Sequence, residues 1–125
     1  MSVLKLELNA KSDNEKAIVN VVLGEPTSNG PLAAAAQAEA KALADSGELA
    51  GKQVLVFGRC PVPVGLVLGH SFAHVAKAVW AYAATDNKFV CCVNHDGSVA
   101  VGEERSPEDF GLTPAECGYR PRPAG

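Results

Sequence analysis

His70 and His74 stand four residues apart in a stretch, Val64 to Lys77, whose apolar positions Val64, Val67, Leu68, Phe72 and Val75 keep helical spacing. Both imidazoles therefore project from one helix face. Two imidazoles so placed can hold a divalent metal. They can also divide the work of general base and phosphate contact. Equally, a histidine in the last turn of a helix suits the dipole there and needs no chemistry. The Glu that follows the first His in the metalloprotease pattern is replaced by Ser71.

Just upstream, the apolar run Val54-Leu55-Val56-Phe57 stops at Gly58-Arg59-Cys60-Pro61. A strand that feeds a helix through a glycine turn leaves backbone N–H groups free at the helix start, where the dipole adds positive charge. Arg59 adds a planar, doubly donating cation suited to phosphate. The junction reads as an anion cradle at the carboxyl edge of a sheet, the usual ligand side of open α/β sheets. Against it, Pro61 and Pro63 each remove a donor, and Arg59 reads as well as a surface residue paired with a carboxylate.

A third group lies in two short loops, Thr85-Asp86-Asn87-Lys88 and Asn94-His95-Asp96-Gly97. Loops at strand ends commonly carry catalytic groups. Turn chemistry alone accounts for Asp86 and Asp96, and less well for His95. All three histidines, the one tryptophan and three of the four cysteines fall between Val54 and Asp96. Cys91 and Cys92 are neighbours on a strand and point to opposite faces. Burial there raises a thiol's pKa, so both read as structural. No Cys-x-x-Cys pair exists, which argues against a structural zinc site.

These residues need elements to hold them. Val3 to Leu8 alternates as a half-buried strand, and Ala17 to Leu23 is a second, joined to it as an antiparallel hairpin. A breaker cluster, Gly24 to Gly30, precedes Pro31 and a helix over Leu32 to Leu49. Its apolar face, Leu32, Ala36, Ala40 and Leu43, is shallow and lets the helix lie close to a sheet. Val54 to Phe57 reads as a strand buried on both faces. Ala78 to Ala83 and Phe89 to Val93 are strands, and Ser98 to Val101 a last short one. The order is β-β-α-β-α-β-β. The expected class is α/β, one mixed sheet with two main helices, ferredoxin-like or Rossmann-like. Residues 1–105 form one domain and 106–125 a Pro-rich C-terminal tail, of which Glu116 to Gly125 is expected to be disordered or to lie against a partner.

With 125 residues, 47% of them hydrophobic, a core forms without metal or disulfide help. The net charge of -3 argues against a protein that coats long nucleic acid. It leaves room for a small anionic ligand. No apolar stretch is long enough for a membrane span, and the first residues lack a signal-peptide pattern. A cytoplasmic protein with reduced thiols is expected.

Four segments together carry a family likeness: Leu55 to Pro61, Leu68 to His74, Val79-Trp80-Ala81-Tyr82, and Val90 to His95. They resemble the compact accessory ring nucleases of type III CRISPR systems, which degrade cyclic oligoadenylate second messengers. The likeness covers most of Met1 to Glu103, by element order in the first half and by residues in the second. It implies an α/β phosphodiesterase that cuts cyclic tetra-adenylate and switches off an antiviral response. It implies activity supported by manganese, and dimers stacked so that a site is shared between subunits.

The family's catalytic pair is a histidine at the end of the second helix and an aspartate right after the Tyr of the next strand. His74 matches the histidine. Ala83 stands where the aspartate would be, and the nearest acid, Asp86, comes three residues later. The resemblance thus implies His74 as catalytic, with Asp86 if its loop brings it to the same place, and the residue reading adds His70 as an alternative base and His95 as a proton donor to the leaving oxygen. Gly58, Arg59, Cys60 and Tyr82 would bind substrate, and Asp86 with His74 would hold a metal. If Asp86 does not substitute, a metal-free route remains, in which a ribose 2′-hydroxyl attacks the neighbouring phosphate with histidine as base. Three other readings stay open: a sensor that binds a cyclic nucleotide without cutting it, a non-enzymatic interaction protein, and a manganese-dependent exonuclease on RNA tails. The acidic charge weighs against the last.

Overall fold

Period-two patterning at one end of the chain and helical patterning in the middle resolve into a single mixed sheet with two helices against it. The computed structural model describes residues 3–95 and 97–117. The strands are β1 (Leu4–Leu8), β2 (Lys16–Leu23), β3 (Gln53–Gly58), β4 (Ala78–Ala83), β5 (Lys88–Asn94) and the two-residue β6 (Glu104–Arg105). The helices are α1 (Asn29–Asp45) and α2 (Val62–Ala73). Strand order in the sheet follows the chain, β1 through β6. The β1–β2 pair is antiparallel, as the sequence predicts. The crossovers through α1 and α2 make β2–β3 and β3–β4 parallel, because a helix returns the chain to the end at which the previous strand began. β5 and β6 then run antiparallel to their neighbours.

The two helices lie side by side on one face. Leu32, Ala36 and Ala40 of α1, and Val64, Leu68 and Phe72 of α2, are buried with Ala17, Val19, Val21, Val54 and Val79 of the strands. Alanine at the contact face of α1 lets it sit close to the sheet, as its composition implies. Both helices end sooner than their patterns suggest. Ser46 caps α1, so Gly47 to Gly51 is irregular, although Leu49 is still buried. His74 caps α2, and the Val75 and Ala76 N–H groups both donate to the Phe72 carbonyl, so the last turn tightens before Lys77.

The opposite face of the sheet carries Ile18, Leu55, Phe57, Ala78, Trp80, Phe89 and Cys91. No helix of the βαβ units reaches it. It is covered instead by the chain after β5. Val99, Phe110, Leu112 and Cys117 pack there, with the Phe110 ring edge-on to Trp80 at 5.2 Å and to Phe89 at 5.5 Å between centroids. This corrects the boundary expected at residue 106: Pro107 to Cys117 is part of the fold. The prolines do not disorder it. Pro107 opens a 3-10 turn, Pro107–Phe110, closed by a capping box between Ser106 and Asp109 and ended by Gly111 in the left-handed region. Lys11, in the β1–β2 turn, pairs with Glu116 at 2.7 Å and ties the segment down. Ser98 to Val101 forms no strand, although Val99 is buried; the last pairing falls at Glu104–Arg105. The tail expected beyond Cys117 lies outside the described residues.

No helix among the described residues is long and apolar enough to cross a membrane.

Candidate functional site

The parallel strands β2, β3 and β4 fix two edges, and the candidate residues divide between them. At the carboxyl edge, β3 ends at Gly58 and α2 starts at Val62, so Arg59, Cys60 and Pro61 form the junction. Gly58 has φ +106, and a Cβ there would meet the Val21 carbonyl oxygen at 2.5 Å and Asn20 Oδ1 at 2.8 Å. Only glycine lets β3 finish against β2 in this way. Arg59 is exposed beside it. Pro61 is the N-cap of α2 and no side chain caps the helix start.

Tyr82 and Asp86 belong to the same edge. Tyr82 lies near the end of β4, and its hydroxyl donates to Asn87 Oδ1 at 2.7 Å across the turn. Asn87 itself has φ 52, a conformation asparagine tolerates in tight turns. Asp86 lies exposed in that turn, its N–H donating to the Ala83 carbonyl.

Between α2 and strands β3 to β5 lies an apolar pocket of about 130 Å³. Gly58, Cys60 and Tyr82 line it, with Gly65 and Gly69 of α2 and Cys92 of β5. Two side chains missing from α2 make the room. Pocket lining by Gly65, Gly69 and Cys92 is a feature that sequence reasoning missed; glycines four apart on an apolar helix were the available signal. Cys92 also departs from expectation. A bulge in the β4–β5 ladder sets Trp80 opposite Cys91 and leaves Cys92 exposed on the pocket side, while Cys91 is buried on the other face. Burial pushes the Cys60 and Cys91 thiols up, so both are poor nucleophiles.

The three histidines are at the other edge. α2 runs from the carboxyl edge back toward the amino edge, and His70 is in its last turn with His74 at its C-cap. At 1.5 Å per residue, the run from Pro61 to His74 is about 20 Å. The Nε2 atoms of His70 and His74 stand 3.3 Å apart, within hydrogen-bond distance, the tautomers setting which ring donates. The rings meet edge to face, with centroids 4.8 Å apart. They line a cleft of about 260 Å³ with Ser71, Gln37, Lys41 and Asp45. Lys41 and Asp45 of α1 form their own ion pair at 2.8 Å. His95 follows β5, whose last residue Asn94 pairs with Ala78 at the start of β4, and its N–H donates to the Lys77 carbonyl. It too is therefore at the amino edge. Asp96 lies outside the described residues.

The catalytic set expected from the sequence, His74, His70, Asp86 and His95, is thus divided between two edges, with Arg59 on the side of Asp86. Gly58, Arg59, Cys60, Tyr82 and Asp86 are together, and His70, His74 and His95 are together, at opposite ends of the sheet. The reason is simple: a crossover helix carries whatever is on its last turn back to where the previous strand began. Asp86 and His74 cannot grip one metal ion within one chain. No group of three or more His, Cys, Asp or Glu side chains among the described residues is arranged to hold a metal.

No protein-family model matches the chain, and none of the curated proteins matches it in sequence.

Proposed function

We propose that this chain binds a cyclic oligoadenylate and cleaves it as a ring nuclease, with cyclic tetra-adenylate the expected ligand. The observation that carries the reading is the apolar pocket lined in part by Gly58, Cys60 and Tyr82, at the strand end from which the exposed Arg59 follows. An apolar slot at a junction that carries an exposed arginine suits a base near a phosphate. The residues are those the resemblance picks out for substrate.

The separation of the edges sets the form of the reaction. Groups about 20 Å apart do not act on one phosphate within one chain. A second copy, stacked so that its histidine edge faces the Arg59 edge of the first, supplies the missing half. The outer face of α2 supports association: Val62 is 75% and Leu66 71% exposed, and no Asp, Glu, Lys or Arg occurs from Cys60 to Ala76. Exposed apolar helix faces of this kind mark contact surfaces. The chemistry we assign needs no metal. The ribose 2′-hydroxyl attacks the adjacent phosphorus. The P–O2′ bond forms as the P–O5′ bond breaks, giving a cyclic phosphate. One imidazole of the hydrogen-bonded pair takes the hydroxyl proton and the other returns a proton to the leaving oxygen. Arg59 offsets the charge on the phosphate. The manganese that the resemblance implies finds no joint Asp86–His74 site in one chain, and no step is assigned to it.

The second reading is a sensor that binds the ring and leaves it intact. The distance between the Arg59 pocket and the histidines favours it if the chain does not stack. Incubation with cyclic tetra-adenylate, with EDTA or with manganese, followed by mass analysis of the nucleotide, separates the readings. Linear product in EDTA is expected. Intact nucleotide that co-elutes with the protein would establish the sensor, and no binding would remove both. The variant Arg59→Ala should weaken binding about tenfold or more, the loss of one charge-assisted phosphate contact. The variant His74→Ala should bind normally and stop cleaving.

A further inference from the structure

We infer that in the free chain His70 and His74 form a chelating site for a borderline transition-metal ion, Zn²⁺, Ni²⁺ or Cu²⁺, and that a bound ion blocks the imidazoles which the proposed cleavage uses. The geometry of the pair carries it. A tetrahedral ion with nitrogen ligands at about 2.05 Å has donor atoms about 3.3 Å apart along each edge of the tetrahedron. The two Nε2 atoms are 3.3 Å apart. One Nε2–H now faces the other Nε2; on binding, the donating ring carries its proton on Nδ1 instead, so that both Nε2 lone pairs face the cation.

Three further observations fit an ion there. Both rings are exposed, so entry is open. The cleft of about 260 Å³ beside them has room for the waters that complete the coordination sphere. Spacing of four on a rigid helix turn fixes both ligands in advance, so the second nitrogen binds at high effective concentration. The donor set chooses the ion: imidazole suits zinc, nickel and copper, whereas manganese and magnesium prefer oxygen. The charged groups facing the pair from α1 are Lys41 and Asp45, which neutralise each other at 2.8 Å. They neither repel the ion nor supply a ready third ligand.

The test needs no nucleotide, so it stands or falls apart from the proposed function. Full-length protein is titrated with ZnCl₂ by calorimetry near neutral pH, with NiCl₂ as a second probe. One ion per chain is expected, with thermal unfolding shifted upward in its presence because the ion binds the folded helix turn. His70→Gln and His74→Gln should each weaken binding about tenfold or more, while His95→Gln and the thiol variants Cys60→Ser and Cys92→Ser leave it unchanged. Equal zinc affinity in wild type and His74→Gln would overturn the assignment and direct attention to the thiols. Absence of heat and of any thermal shift with either ion would overturn it outright. Each glutamine variant is exposed, and its own melting curve without metal shows whether it is folded.

Discussion

Gly58 is demanded by its neighbours as much as by its turn. Its φ of +106 lies in the region that side chains avoid, and a Cβ would strike the Val21 carbonyl at 2.5 Å. That oxygen belongs to backbone already paired in the sheet, so it cannot swing aside. The variant Gly58→Ala should lose about 2–3 kcal/mol, read as a lower urea midpoint with an unchanged slope. At the same scale, Asp13 accepts from Lys16 Nζ at 2.7 Å and from the N–H groups of Glu15 and Lys16. These bonds, the Lys16 side chain first, lower its pKa to about 2. A depressed carboxyl contributes stability above its unfolded value and loses it as pH falls through the folded one. Thermal stability should therefore drop between about pH 4 and pH 2, and Asp13→Asn should flatten that part of the profile. Cys117 works in the opposite sense. Burial, with the Glu116 and Glu108 charges, pushes its thiol up to about 11. Its contribution is complete below the unfolded value near 9 and is lost as pH rises through 11. Melting temperatures taken across that range should fall less steeply for Cys117→Ala than for the parent chain.

Among the elements, those with a clear period were legible and those that depend on distant partners were not. The alternation in β1, the continuous apolar run of β3 and the aromatic β4 are found within a residue or two of where their patterns put them. The ends of α1 and α2 were overrun, because Leu49 and Val75 continue the apolar spacing after the hydrogen bonds have tightened or stopped. Gly58 and Arg59 lie at the carboxyl edge because β3 ends there, and Asp86 because β4 runs parallel to β3. The position of the histidines depends on which way α2 runs, and helical spacing alone carries no direction relative to the sheet. The segment after β5 was obscured for a related reason: its prolines and charges look like a tail until Trp80 and Phe89 are seen to need a cover. The variant Phe110→Ala tests that cover. It removes a ring that touches both aromatics and should cost about 3–4 kcal/mol, with the Trp80 fluorescence shifted toward that of a hydrated indole.

For the whole molecule, two cores share one sheet and are sealed in different ways. The first lies under paired helices, and the second under a single irregular strand of chain. The second is the weaker seal, since it rests on Phe110, Leu112, Cys117 and the Lys11–Glu116 tie. A chain stopped after Arg105 should keep its helices in far-ultraviolet circular dichroism yet bind a hydrophobic dye and associate, because Ile18, Leu55, Trp80 and Phe89 are uncovered. Native helix content without dye binding in that truncation would show the cover to be dispensable. Arg105 itself lies over the Trp80 ring at 5.0 Å while paired with Glu103, so the truncation keeps that contact and isolates the contribution of Ser106 to Cys117.

The sequential order of the sheet bears on how the molecule comes into being. Each strand is laid beside the one synthesised just before it, so no strand must wait for a distant partner or be threaded between two others. Such a chain can assemble in the direction of its translation, one βα unit at a time. The exception is the cover over Trp80, which follows the strands in the chain and closes back to Lys11 in the β1–β2 turn. Until that segment leaves the ribosome, the nascent sheet shows an oily face to its surroundings. The Lys11–Glu116 tie thus forms only after every strand of the sheet has been made.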